Sequence, residues 1–217
     1  DDDIPLDKAV LVGCGVPTGW GSAVYAADTQ PGDIVVIFGI GGIGINAVQG
    51  AKHAGAEHII VIDPLQNKRD KAIELGATLA FDNAADAKVA VDELTNGQGA
   101  ESAIITTDLI TSEQVSDGLS MVGRCGTLVL TALNRIDEIT VKVPSTEMSY
   151  FRKTIKGSLF GDCNPTYDIP KLVRMYADGK LKLDELITKE YSLEQVNEGY
   201  DDLLTGKNIR GIIKHQH

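Results

Sequence analysis

The stretch Ile34-Val35-Val36-Ile37-Phe38-Gly39-Ile40-Gly41-Gly42-Ile43-Gly44 decides the reading of this chain. An apolar, mostly β-branched run gives a strand signal, and Gly39, Gly41 and Gly44 follow it in a G-x-G-x-x-G pattern. A helix-period stretch over 42–55 comes next, with Ile43, Ala47, Ala51 and Ala54 on one face and Gly55 as its stop. Asp63 ends the following apolar run, Ile59-Ile60-Val61-Ile62, 19 residues after Gly44. The glycine pattern alone is weak. With a strand before it, a helix after it and an acid about 20 residues on, it reads as a dinucleotide site. The glycines allow a tight turn and close backbone approach to a pyrophosphate. The helix N-terminus offers free N–H groups and positive partial charge to that anion.

Outward from this unit the alternation continues. Strand signals fall at 58–62, 78–81, 102–106, 127–131 and 139–143. Between them lie a helix over 68–75 that stops at Gly76, and one carrying Ala87, Val91 and Leu94. A third opens on the capping box Thr111-x-x-Gln114 and carries Val115, Leu119 and Val122. Repeated β-α-β units predict an α/β fold, a doubly wound parallel Rossmann sheet covered on both faces. Beyond Gly157 the alternation fades into a small C-terminal return segment. It carries a helix over 168–177, a second capping box Ser192-x-x-Gln195 with Val196, Tyr200 and Leu203 behind it, and a strand over 209–214. That segment is too small to hold a core of its own and is expected to dock on the rest.

The 217 residues carry 20 basic and 31 acidic side chains, a net charge of −11, which repels a phosphate backbone and argues against a nucleic-acid partner. No apolar run approaches the roughly 20 residues that cross a bilayer, and no secretory signal pattern opens the chain. Cys14, Cys125 and Cys163 lack C-x-x-C spacing, which predicts reduced thiols and a cytoplasmic setting. Residues 1–8 read as a solvated acidic tail.

Asp63 is the candidate cofactor selector: its carboxylate accepts from both ribose hydroxyls of NAD and repels the 2′-phosphate of NADP. The plain alternative is a strand-end acid capping a turn before Pro64. Lys68 reaches the adenosine ribose or is an exposed helix lysine. Cys14, between Gly13 and Gly15, is a possible zinc ligand, but catalytic zinc takes three protein ligands and His53, His58, His215 and His217 are poorly placed to help. Alone, Cys14 reads as a buried thiol rather than a ligand. Arg210, entering the last strand, either pairs with a pyrophosphate or is a surface arginine. Trp20, Cys125 and Cys163 read as packing or loop residues.

Taken together, the motifs resemble the zinc-dependent, medium-chain alcohol dehydrogenases. The resemblance spans nearly the whole chain. It runs through Gly13-Cys14-Gly15-Val16-Pro17-Thr18-Gly19, Pro31-Gly32-Asp33, the glycine turn at 39–44 and Lys71-Ala72-x-x-Leu75-Gly76-Ala77. It continues in Lys156-Gly157-Ser158-Leu159-Phe160-Gly161 and Gly206-Lys207-Asn208-Ile209-Arg210. The wording from Pro17 to Tyr25 looks closest to a branch that includes the nitroso-acceptor-dependent enzymes, whose NAD is held tightly. The resemblance implies zinc-assisted hydride transfer from an alcohol to NAD, giving an aldehyde. It implies that Cys14 is one ligand of the catalytic zinc and that Thr18 lies beside the nicotinamide. Gly42 and Ile43 would hold the pyrophosphate through backbone donors, with Asp63 and Lys68 on the adenosine ribose. Thr106, Thr107, Thr131, Leu133 and Phe160 would line the adenosine and nicotinamide channel, with Arg210 on the pyrophosphate.

The family's N-terminal GroES-like catalytic domain, with its Gly-His-Glu segment and proton-relay hydroxyl, has no counterpart in this sequence. The resemblance therefore divides the chain into a lead-in at 1–30 carrying Cys14, a Rossmann NAD-binding domain at 31–158, and a C-terminal segment of the catalytic domain at 159–217. A chain so composed is expected to bind NAD(H) without oxidising alcohols by itself. The resemblance also implies a homodimer paired through the segment 139–158. Two other readings stand beside it: a zinc-free quinone or enone reductase of the same superfamily, against which Asp63 and Cys14 argue, and a non-catalytic nucleotide-binding module.

Overall fold

The computed structural model describes residues 4–133 and 141–215. The chain enters through helix α1 (Leu6–Ala9) and a 3-10 turn, then α2 (Gly15–Gly21) and a π-helical turn at Ser22–Ala26. β1 (Ile34–Phe38) follows, and all five of its side chains are buried, as expected of a continuous apolar run covered on both faces. Next come α3 (Gly44–Ala54), β2 (His58–Ile62), α4 (Gln66–Leu75), β3 (Leu79–Phe81), α5 (Ala84–Thr95) and β4 (Ala100–Ile105). Then α6 (Ser112–Met121), β5 (Val122–Leu130), α7 (Ser145–Tyr150) and β6 (Thr154–Gly157) complete the unit. The six strands lie in the order β3-β2-β1-β4-β5-β6 and pair in parallel throughout. This is the expected doubly wound sheet.

The pleat of β1 divides the core in two. Val35 and Ile37 join Ile45, Val48, Ile59, Val61 and Trp20 on one face. Ile34, Val36 and Phe38 join Val91, Val115, Leu119 and Ile105 on the other. The Thr111–Gln114 capping box forms in both directions at the start of α6.

The return segment holds α8 (Pro165–Ala177), β7 (Ile187–Tyr191), α9 (Val196–Leu204) and β8 (Arg210–Ile213). It docks by placing Leu172, Leu181, Leu183, Leu186 and Ile209 in the same core cluster as α3 and β1. β7 and β8 pair in parallel, with Ile187 opposite Arg210. Buried Asp202 of α9 braces them, accepting from Lys189 Nζ and Tyr191 Oη at 2.7 and 2.9 Å.

Two expectations are corrected. Val141, Lys142 and Val143 belong to no strand, and Ile139 and Thr140 lie outside the described residues. The outer place beside β5 is taken by Thr154–Gly157. Alternating apolarity at 139–143 makes a strand permissible, but a ladder needs a neighbour, and β5 already has one. Val122 is not the end of α6 but the first residue of β5; its backbone is extended and α6 stops at Met121. The lead-in is helical around Cys14, although Gly15, Pro17, Gly19 and Gly21 are poor helix formers. Tertiary burial overrides propensity there: every residue of α2 is buried, packed against α3.

Candidate functional site: the crevice at the β1–β4 switch point

Connections leave β1 and β4 in opposite directions, so a crevice opens at the carboxyl ends of these neighbouring strands, where open α/β sheets hold ligands. The turn 39–44 forms its floor. Gly39 has φ of 84°, which favours glycine, and its N–H donates to Ile62 O at 2.8 Å. Thr106, following β4, donates its hydroxyl to Phe38 O and Gly39 O at 2.9 and 2.6 Å. Gly44 lets α3 approach the turn: a Cβ there would fall 1.9 Å from Gly39 O. Thr107 packs against Gly39.

Asp63, 4% exposed, closes the turn from the end of β2. Its Oδ2 accepts from Ile40 N–H at 2.7 Å and its Oδ1 from Leu65 N–H at 2.9 Å. The turn-capping geometry is therefore present, and each carboxylate oxygen keeps further acceptor capacity. The backbone N–H groups of Gly41, Gly42 and Ile43 have no acceptor among the described residues. They sit ahead of the first turn of α3, where the helix dipole favours an anion.

Arg210 faces them. Its side chain lies so close that a Cβ on Gly42 would stand 2.0 Å from Nε, and one on Gly15 would stand 2.1 Å from Nη2. Its guanidinium has no hydrogen bond or ion pair among the described residues. Burial lowers its pKa from the ordinary arginine value, opposed only by the nearby Cys14 thiol. A desolvated fork of donors opposite free amides fits a pyrophosphate. Lys68 also lacks a polar partner among the described residues; its Nζ lies near Gly206, whose carbonyl accepts from Asn67 Nδ2 at 3.3 Å.

The other end of the crevice gathers Thr18, Thr131 and Phe160. Gly19 sets α2 against the Ile43 carbonyl, which brings Thr18 beside the turn. Ser22 Oγ donates to Thr18 O at 2.6 Å and lies 2.8 Å from Thr131 Oγ1. Gly161, next to Phe160, packs on the carbonyls of Pro17 and Thr18. Phe160 and Asp162 each have φ of 57°, so this corner is built from left-handed backbone on both sides of Gly161. The Thr18 hydroxyl is spent on Cys14 O at 2.7 Å. Leu133 is 74% exposed. Sequence reasoning missed Ser22, Asn46 and Gln49, all buried and polar. Their signal was visible: polar side chains within apolar helix-period stretches.

Cys14 is exposed. A catalytic zinc takes three protein ligands and an open position. Among the described residues no three His, Cys, Asp or Glu side chains come together, so these residues do not by themselves hold such an ion. Nor, among the described residues, is any single helix long and apolar enough to cross a membrane.

The fold is thus a doubly wound α/β unit of the Rossmann type, with a crevice at its switch point. A family model described as zinc-binding dehydrogenase matches residues 42–178, and the chain belongs to that family. It is 56% identical over 215 residues to an NDMA-dependent alcohol dehydrogenase of Amycolatopsis methanolica, covering 99% of this chain and 58% of the relative. It is 54% identical, with the same coverage, to a putative alcohol dehydrogenase D of Mycobacterium tuberculosis. The crystal structure of a benzyl alcohol dehydrogenase from Acinetobacter calcoaceticus superposes with a TM-score of 0.92 at 29% identity, over 100% of this chain and 59% of that one. The chain therefore spans a little over half the length of the relatives it matches.

Proposed function

We propose that this chain is the NAD(H)-binding part of an alcohol dehydrogenase that oxidises an alcohol to an aldehyde. The observation that carries the reading is the pairing of free N–H groups at Gly41, Gly42 and Ile43 with the unpartnered Arg210 guanidinium. The turn amides and Arg210 would bind the pyrophosphate. Asp63 would accept from the adenosine ribose and disfavour a 2′-phosphate, with Lys68 beside it. Thr106 and Thr107 hold the turn in shape, while Thr18, Thr131, Leu133 and Phe160 border the nicotinamide end. When bound, NAD supplies the hydride acceptor. The chain's own part is to orient it and to exclude water from its reacting face.

Cys14 offers one metal donor beside that end, and in the longer protein we assign it as one ligand of the zinc the family name describes. The described residues do not complete that ligand set. Pairing of two copies through the segment 139–158 and a cytoplasmic setting belong to the same reading.

Titration calorimetry of the 217-residue chain with NADH and NADPH, for the parent and Arg210→Ala, tests the proposal. Saturable NADH binding, weaker NADPH binding and a loss in the variant are expected. NADPH preference would instead favour the zinc-free reductase reading. Absence of binding by either would overturn the assignment.

A further inference from the structure

We infer that Gln49 is a positioning residue: it sets Arg210 against the glycine turn by clamping the return segment to α3. The inference rests on the NAD reading above and goes beyond it.

Arg210 has no bond of its own that fixes its guanidinium, so its place is inherited from the backbone of β8. In turn β8 is registered on β7, with Ile187 opposite Arg210, and Thr188 Oγ1 ties the two strands by accepting from Ile209 N–H at 3.1 Å. β7 follows directly from the stretch around Lys182, and that stretch is gripped by Gln49. Gln49 Oε1 accepts from Lys182 N–H at 2.8 Å, and Gln49 Nε2 donates to Lys182 O at 3.0 Å. The second Nε2 proton goes to Asn46 Oδ1 at 3.1 Å, and Asn46 Nδ2 donates to Gly42 O at 2.9 Å. One unbroken chain of bonds therefore joins the turn that offers the free amides to the segment that carries the facing cation.

The surroundings make this more than packing. Gln49 is 8% exposed and Asn46 1%, and Lys182 is flanked by the buried Leu181 and Leu183. Apolar contacts of that kind are non-directional and do not set register. An amide fork does, because each bond has a fixed direction and a buried amide is costly unless satisfied. An apolar residue of the same size would fill the space equally well and lose the register.

The test is a double-mutant cycle on the 217-residue chain, with ADP-ribose as the calorimetric titrant. Arg210→Ala is expected to weaken ADP-ribose by about tenfold or more, as befits a charge-assisted contact. Gln49→Met is expected to weaken it by about three- to tenfold in the parent but by less than about twofold in the Arg210→Ala background, because coupled residues are non-additive. The Arg210 Nε–H resonance is expected to shift in Gln49→Met while the circular dichroism spectrum stays the same. Equal losses in both backgrounds would make Gln49 merely structural and overturn the inference. No loss in Arg210→Ala would instead overturn the anion site itself. If Gln49→Met does not fold, Gln49→Glu carries the same cycle: it keeps the volume and the acceptor for Lys182 N–H but donates to neither carbonyl oxygen.

Discussion

Replacing Asp63 with alanine separates its two tasks. The carboxylate engages two backbone donors on different oxygens, and these differ in environment. Ile40 is fully buried, whereas Leu65 is 36% exposed, so water replaces the lost acceptor at Leu65 but not readily at Ile40. A buried donor left without an acceptor costs about 1–3 kcal/mol, with water entering the vacated space setting the low end. For a chain of this size each kcal/mol lowers Tm by about 2–4 °C, so a fall of roughly 2–12 °C is expected in differential scanning calorimetry. Two hydrogen bonds from ribose hydroxyls to a carboxylate vanish as well, each about 1.5–3 kcal/mol, which predicts NADH affinity at least about a hundredfold weaker. NADPH affinity falls less, because the repulsion of its 2′-phosphate disappears with the charge. Unchanged Tm would refute the brace. Parallel losses for NADH and NADPH would refute the selector.

Three further outcomes are expected. Gly44→Ala forces α3 away from the turn, since its Cβ would meet Gly39 O at 1.9 Å and Thr106 Oγ1 at 2.6 Å; NADH titration should show binding lost with most secondary structure retained. Burial, then the charge of Asp168, pushes the Cys163 thiol up to about 12, and its Sγ bonds Pro17 O at 3.3 Å. A disulfide exchange reagent at pH 8 should therefore modify the exposed Cys14 and Cys125 quickly and Cys163 only on unfolding. The hydrogen bond from Lys189, then that from Tyr191, holds Asp202 down at about 2, against an ordinary value of 3.8. Its stabilisation of the β7–β8 lobe is thus complete above about pH 4 to 5 and lost as pH falls through about 2. Tyrosine fluorescence of the parent should report an acid transition there that Asp202→Asn blunts.

The Rossmann half was legible because its signals are local. A continuous apolar strand, a glycine turn, a capping box and an acid at a strand end each state their geometry within a few residues. What escaped depends on partners far away in sequence. Val141–Val143 and Thr154–Gly157 alternate alike, and only the edge of β5 decides between them. β7 is largely polar and exposed, so nothing in Ile187–Tyr191 announces a strand until β8 arrives beside it. The helix around Cys14 contradicts its own propensities and exists because α3 buries it. In the site, Asp63 and the glycines were readable from spacing. Arg210 stood between a pyrophosphate partner and a surface arginine until the family resemblance favoured the first, and Gln49 showed only as a polar residue within an apolar helix period, because its partner lies 133 residues away.

On the proposed reading, NAD(H) docks on the free amides of the turn at 39–44. The most direct measurement is ¹⁵N-amide NMR of the 23.1 kDa chain through an NADH titration. The N–H resonances of Gly41, Gly42 and Ile43 are expected to shift saturably and more than those of β7, and Arg210→Ala is expected to weaken the response. Binding that leaves these three amides unmoved would contradict it.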